Sequence, residues 1–193
     1  MKETLGLIIG IDEAGRGPLA GPVVVAGIKL ESRILNLESR IFKGIKDSKK
    51  LTAKQRDKWY GVLTNHPKIE WVTASIAPEV IDRINIARAT NLGAQRVYKK
   101  LAGLRPILAL LDGSLYLSRN APQKTIIRGD EKIPAISAAS IIAKVTRDRI
   151  MTRLHKKYPE YGFDKHKGYG TKLHRKLIQK FGKCKIHRES FRA

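Results

Sequence analysis

Leu7-Ile8-Ile9-Gly10-Ile11-Asp12-Glu13-Ala14-Gly15-Arg16-Gly17-Pro18 opens on a short apolar run, closes it with two carboxylates and passes at once into loop chemistry. The apolar run has the length of a buried strand. Val23 to Leu30, rich in β-branched residues, reads as a second strand. Between them, Gly15, Gly17, Pro18, Gly21 and Pro22 mark an ordered loop. Two adjacent charges against a buried strand repel each other unless a cation is present. Asp12 and Glu13 therefore have a chemical reason to be there. Consecutive strand residues face opposite ways, so the pair is expected to share an ion only where the strand bends or ends. Gly15 and Gly17 make such a bend available.

The remaining chain alternates strand and helix patterns. Thr52 is placed to cap a helix opening at Ala53, and Glu70 to Ile76 alternates as a strand does. Pro78 suits a first helical turn, and Ile86 to Lys100 has helical period. Ile107 to Leu111 is a continuous apolar run suited to a central strand, ended by Asp112-Gly113. Thr125 to Ile127 is a short strand, Ser137 to Lys157 a long helix, and Thr171 to Phe181 an amphipathic helix before Gly182. The pattern is α/β, with a mixed central sheet flanked by helices. One domain over residues 1–193 is expected, with about 150–193 as a helical C-terminal extension packed on it.

Charge narrows the partner. Lys+Arg number 39 against 17 Asp+Glu, a formal net charge of +22, which attracts polyanions, nucleic acid foremost. The single cysteine, Cys184, excludes an internal disulfide and fits a reducing compartment. No stretch approaches the roughly 20 apolar residues of a membrane span, and Met1 to Gly10 lacks the form of a secretory signal. A soluble, cytoplasmic monomer is expected.

Against that basic background, Asp12, Glu13, Asp112 and Asp130 stand at or just after strand ends, where α/β proteins place ligand groups. Taken alone, Asp112-Gly113 reads as a turn pair, and the same reading would cover Asp130. Clustered carboxylates in so basic a chain point to a hard divalent ion, Mg²⁺ or Mn²⁺. Zinc is not expected: His66, His155, His166, His174 and His187 are scattered, without a CxxC or HExxH motif. Gly15-Arg16-Gly17 lets backbone approach a ligand closely. Ser48 and Lys49, in Asp47-Ser48-Lys49-Lys50-Leu51, offer a hydroxyl and an ammonium to phosphates. Tyr161 to Thr171 interleaves aromatics, glycines and bases; Phe163 reads as core, and Tyr169, between two glycines, as a contact residue.

Taken together these motifs resemble those of type 2 ribonucleases H (ribonuclease HII). The match comprises Gly10 to Pro18, Asp47 to Leu51, Leu111-Asp112-Gly113 and the run from Gly129-Asp130 through Ser137 to Ser140 and on to Ala143 to Asp148. Tyr158 to Phe163, His166 to Thr171 and His187 to Phe191 complete it, in order along nearly the whole chain. Arg128 stands where a lysine is more usual, and the charge is kept. The chain shows no counterpart of the extra N-terminal domain of type 3 enzymes, which places the expectation on the type 2 branch.

The resemblance implies a ribonuclease H-like fold with a helical C-terminal part. It implies an endonuclease that hydrolyses the RNA strand of RNA–DNA hybrids and nicks 5′ to ribonucleotides embedded in duplex DNA. The products are a 5′-phosphate and a 3′-hydroxyl, and the chemistry uses two Mg²⁺ or Mn²⁺ ions. By the same resemblance Asp12, Glu13, Asp112 and Asp130 form the metal set. Gly15, Arg16 and Gly17 read the 2′-hydroxyl, and Tyr169 stacks on the sugar next to the scissile site. Asp148 matches a recurrent family aspartate and is expected to be structural or to support the ligands. A sliding clamp is a candidate partner. Two rivals remain: a non-catalytic basic nucleic-acid-binding protein, favoured by charge alone, and a ribonuclease-H-fold nuclease acting on DNA junctions.

Overall fold

The computed structural model describes residues 6–35, 42, 44–45 and 51–192. Five strands, β1 (Leu7–Ala14), β2 (Val23–Glu31), β3 (Glu70–Ile76), β4 (Leu108–Asp112) and β5 (Gln123–Ile126), form one sheet in the order β3-β2-β1-β4-β5. β1, β2 and β3 pair antiparallel, while β4 and β5 run parallel to β1. The sheet is thus mixed, and β1 is the strand at which its character changes. Ile11 pairs with Leu111 in the parallel register. The next residue on each strand is an aspartate, so one pairing sets Asp12 beside Asp112.

Seven helices accompany the sheet: α1 (Ala53–Thr64), α2 (Pro78–Ile84), α3 (Ile86–Ala102), α4 (Gly129–Lys132), α5 (Pro134–Lys157), α6 (Phe163–His166) and α7 (Lys172–Phe181), counted among the described residues. Strand alternation divides the sheet between two of them. Ile8, Ala26 and Ile28 pack with Ala135, Ala138 and Ile142 of α5, on a face that Leu63 of α1 also joins. Ile9, Ile11 and Val25 pack with Ala94, Val97 and Leu101 of α3 on the other face. α5 comes very close: a Cβ added to Gly10 would lie 2.5 Å from the carbonyl carbon of Ala135. Glycine on the strand and alanines on the helix are what permit that approach.

The expected elements are present, with shifted ends. Thr52 caps α1 in a reciprocal box with Gln55, and β3 spans Glu70–Ile76 as read. α5 begins at Pro134, earlier than its apolar repeat suggests, because proline suits the first helical position. β5 lies at Gln123–Ile126 rather than 125–127, in register with the parallel neighbour β4. In the C-terminal part, Tyr161 and Phe163 stack and share a core with Met151 of α5 and Ala20 of the β1–β2 loop. No described helix is long and apolar enough to cross a membrane.

Two glycine substitutions separate close packing from helix propensity. Gly10→Val is expected to lower stability by about 1–3 kcal/mol through overpacking against α5. Gly61→Ala, in α1 with nothing near its would-be Cβ, is expected to raise it by about 0.5–1 kcal/mol. Urea-unfolding midpoints check both.

Candidate metal centre and substrate cleft

Asp12, Asp112 and Asp130 converge from three elements: carboxylate oxygens of all three lie within 4.8 Å of one another. Asp12 projects from β1 toward the face that α5 covers, the same face as Ile8 and Gly10, and it hydrogen-bonds with Ser140 of α5. Asp112 is the last residue of β4. Its Oδ1 accepts from the N–H groups of Gly129 (2.7 Å) and Asp130 (3.2 Å), which seats the start of α4 against the strand end. Asp130 follows at once, with its own backbone carbonyl accepting from the Ser137 hydroxyl. Asp12 and Asp130 are 4% and 3% exposed, too buried to be ordinary surface acids.

Glu13 is placed differently. β1 does not bend at the pair: ladder pairing continues regularly through Asp12, Glu13 and Ala14. Glu13 accordingly alternates to the opposite side of the strand from Asp12. It is not one of the three converging aspartates, but its carboxyl interacts with that of Asp12, its Oε1 lies 3.6 Å from Arg16 Nη1, and it lines the same cavity. Its Oε2 is buried without a hydrogen-bond donor.

The electrostatics suit a cation. Burial, then the charges of Glu13 and Asp112, holds the Asp12 carboxyl well above the usual range, with the Ser140 hydrogen bond opposing. Burial also raises Glu13, opposed by Arg16 and reinforced by Asp112. A buried carboxylate oxygen without a donor, beside three converging aspartates and with no sulfur or imidazole in the group, fits a hard divalent ion. The histidines, scattered in sequence, are not all scattered in space: His166 and His174 stack, and His174 and His187 meet at 3.1 Å through their Nε2 atoms. Their nitrogens hydrogen-bond within the protein, to the carbonyls of Tyr161 (2.7 Å) and Tyr169 (2.9 Å) and to the N–H of Cys184 (2.9 Å). Burial lowers His174 to about 4, so it is neutral near pH 7.

A cavity of about 270 Å³ joins the acids to the loops, lined by Asp12, Glu13, Gly15, Arg16, Gly17, Asp112, Ser140, Lys144 and Tyr169 among others. Arg16 Nη1 reaches Thr90 of α3 at 3.2 Å. Tyr169 remains 42% exposed, with Lys144 Nζ and Arg147 Cζ each 5.7 Å from its ring centroid. Gly15 has φ +99°, and a Cβ there would lie 2.0 Å from Arg147 Nε; both its conformation and its neighbour require glycine.

The structure therefore brings Asp12, Glu13, Asp112, Gly15, Arg16, Gly17 and Tyr169 around one cavity, with Asp130 joined to it through the aspartate group. Ser48 and Lys49 lie outside the described residues. Asp148 pairs with Lys144 at 2.9 Å and is not itself among the residues lining the cavity. Sequence reading placed Ser140, Lys144, Arg147 and Arg188 within matching motifs but gave none of them a role. Ser140 and Lys144 had a signal in their helical spacing of four, which puts them on one face of α5.

These features have counterparts in known proteins. The family model described as Ribonuclease HII matches residues 9–193. Ribonuclease HII of Chlamydia caviae is 46% identical over 189 residues, 98% of this chain and 85% of the relative. A chain of the PCNA:RNase HII complex from Archaeoglobus fulgidus superposes with a TM-score of 0.78 at 25% identity, covering 97% of this chain and 96% of that one. Ribonuclease H2 from Pyrococcus horikoshii OT3 gives 0.77 at 28% identity, over 96% and 93%.

The raised carboxyls bind protons in the fold that the unfolded chain has already released. Without cations, stability should therefore fall as pH rises above the ordinary aspartate value of 3.8. In EDTA at pH 8, Asp12→Asn is expected to raise the unfolding midpoint by about 2–4 °C per kcal/mol of repulsion removed, with the gain shrinking toward pH 4. Mg²⁺ or Mn²⁺ should raise the wild-type midpoint and leave that of the variant nearly unchanged. Differential scanning calorimetry reads both effects.

Proposed function

This chain belongs to the ribonuclease HII family, endoribonucleases acting on RNA–DNA hybrids, and we propose that the cavity around Asp12 is where it hydrolyses the RNA strand and nicks 5′ to ribonucleotides embedded in duplex DNA. The convergence of Asp12, Asp112 and Asp130 carries this reading, because a phosphodiester cannot approach three clustered carboxylates, two of them buried, unless cations intervene. Asp12, Asp112 and Asp130 would hold divalent ions, Mg²⁺ or Mn²⁺, two of them during the reaction, with Glu13 supplying its free oxygen. Ions bound there lower the pKa of water and neutralise charge on the phosphate.

The chain's own residues do the rest. Ser140 orients Asp12, and the N–H groups of Gly129 and Asp130 orient Asp112. Gly15, Arg16 and Gly17 read the 2′-hydroxyl, Tyr169 packs on the adjoining sugar, and Ser48 and Lys49 take phosphate. Water adds to the phosphorus 5′ to the ribonucleotide and the P–O3′ bond breaks, leaving a 3′-hydroxyl and a 5′-phosphate. The net charge of +22 supplies affinity for the duplex without choosing the cut. We further propose a cytoplasmic monomer, one domain with its C-terminal helices packed on it. A sliding clamp is its candidate partner, since the Archaeoglobus fulgidus relative is found in a complex with PCNA.

Labelled duplex DNA containing one ribonucleotide should be nicked 5′ to the ribose with Mg²⁺ or Mn²⁺, and not with EDTA. An all-DNA duplex should stay intact. Asp12→Asn should abolish cleavage, by on the order of 10³-fold or more, and leave duplex binding intact. Binding without cleavage under either metal would favour a non-catalytic nucleic-acid-binding protein. Cleavage by Asp12→Asn at the wild-type rate would overturn the metal assignment.

A further inference from the structure

Two arginines lie beneath the cleft, Arg147 on α5 and Arg188 in the segment after α7, and both are 0% exposed. Among the described residues neither forms an ion pair. A buried cation without a counter-charge is expensive, and a guanidinium tolerates it only when its donors are satisfied. Here the acceptors are the backbone carbonyls of two loops. Arg188 donates to Gly15 (2.7 Å), Arg16 (2.8 Å) and Gly21 (3.0 Å). Arg147 donates to Ala20 (3.2 Å), Pro22 (2.9 Å) and Lys167 (3.0 Å). One fork thus organises the first loop, and the other ties that loop to the one bearing Tyr169.

The consequence follows from peptide geometry. In a trans peptide the N–H points opposite to the preceding C=O. With the carbonyls of Gly15 and Arg16 drawn down to Arg188, the N–H groups of Arg16 and Gly17 face away from it. Among the described residues no acceptor takes either of them. Arg188 is itself held by a strap. Its N–H donates to the Leu19 carbonyl (2.8 Å), and Gly21 donates to Ile186 (2.8 Å). Asp82 of α2 accepts from the N–H groups of Glu189 (2.9 Å) and Ser190 (3.0 Å).

We infer that Arg147 and Arg188 are positioning residues for substrate choice: they hold the N–H groups of Arg16 and Gly17 and the ring of Tyr169 in one fixed arrangement, so the strap of residues 186–191 is a specificity determinant. This rests on the reading of the cleft under Proposed function. The groups that discriminate are backbone atoms and a ring, which cannot orient themselves. The buried cations supply the orientation.

The test uses Arg188→Lys and Asp82→Ala in the full chain; the second variant releases the strap from outside the cleft. Affinities for an all-DNA duplex and for the same duplex with one ribonucleotide are compared, together with KM, kcat and Mn²⁺ binding. Arg188→Lys is expected to lose on the order of 10–10² of the preference for the ribonucleotide duplex. That loss should appear chiefly in KM, with all-DNA affinity and Mn²⁺ binding unchanged. Asp82→Ala should shift the same way by less. A lowered melting temperature with an unchanged preference ratio and unchanged KM in both variants would overturn the inference. If the wild type cuts neither duplex, the functional reading fails by itself. Amide hydrogen exchange at Arg16 and Gly17 then still decides the positioning: faster exchange in both variants supports it, and unchanged exchange overturns it.

Discussion

Mutual repulsion among buried carboxylates is the constraint around which this fold is organised. The parallel register of β1 and β4 ends two apolar strands side by side and places Asp12 against Asp112. Asp112 then captures the first N–H groups of α4, which brings Asp130 to the same point. Each step is ordinary hydrogen bonding. The sum is a concentration of negative charge that a protein interior resists unless a cation resolves it. α5 covers one side of this charge with alanines and isoleucines and contributes two hydroxyls, Ser140 to the Asp12 carboxyl and Ser137 to the Asp130 carbonyl.

Around this acidic point the chain is strongly basic, with 39 Lys+Arg against 17 Asp+Glu. The two charge distributions divide the labour. The basic exterior attracts a nucleic-acid backbone wherever it lies, while the acidic cavity admits a phosphate only in company with cations. Under the proposed function, recognition falls to a third set of groups with no net charge of their own, glycine backbone and a tyrosine ring. Their definition depends on what packs behind them.

Much of this was legible in the sequence wherever the signal was local. Thr52 with Gln55, the alternation from Glu70 to Ile76 and the apolar runs before Asp12 and Asp112 each state their structure within a few residues. Glu13 was harder. Its neighbour Asp12 suggested a shared position; the strand stays regular, and Glu13 lines the same cavity while lying outside the three-aspartate group. β5 is short and polar, so its limits come from pairing with β4 rather than from its own composition. Arg147 and Arg188 lie within motifs that match the family, but their role was not legible: most of the carbonyls they hold belong to the β1–β2 loop, more than a hundred residues away. The histidines show the same limit, since His174 and His187 meet only once α7 and the tail are folded.

Anomalous diffraction from crystals grown with Mn²⁺ and a duplex carrying one ribonucleotide tests the central claim most directly. Strong manganese peaks are expected within bonding distance of Asp12, Asp112 and Asp130, with the 5′ phosphate of the ribonucleotide against them. Manganese bound elsewhere on the protein, with these three aspartates contacting no ion, would contradict it.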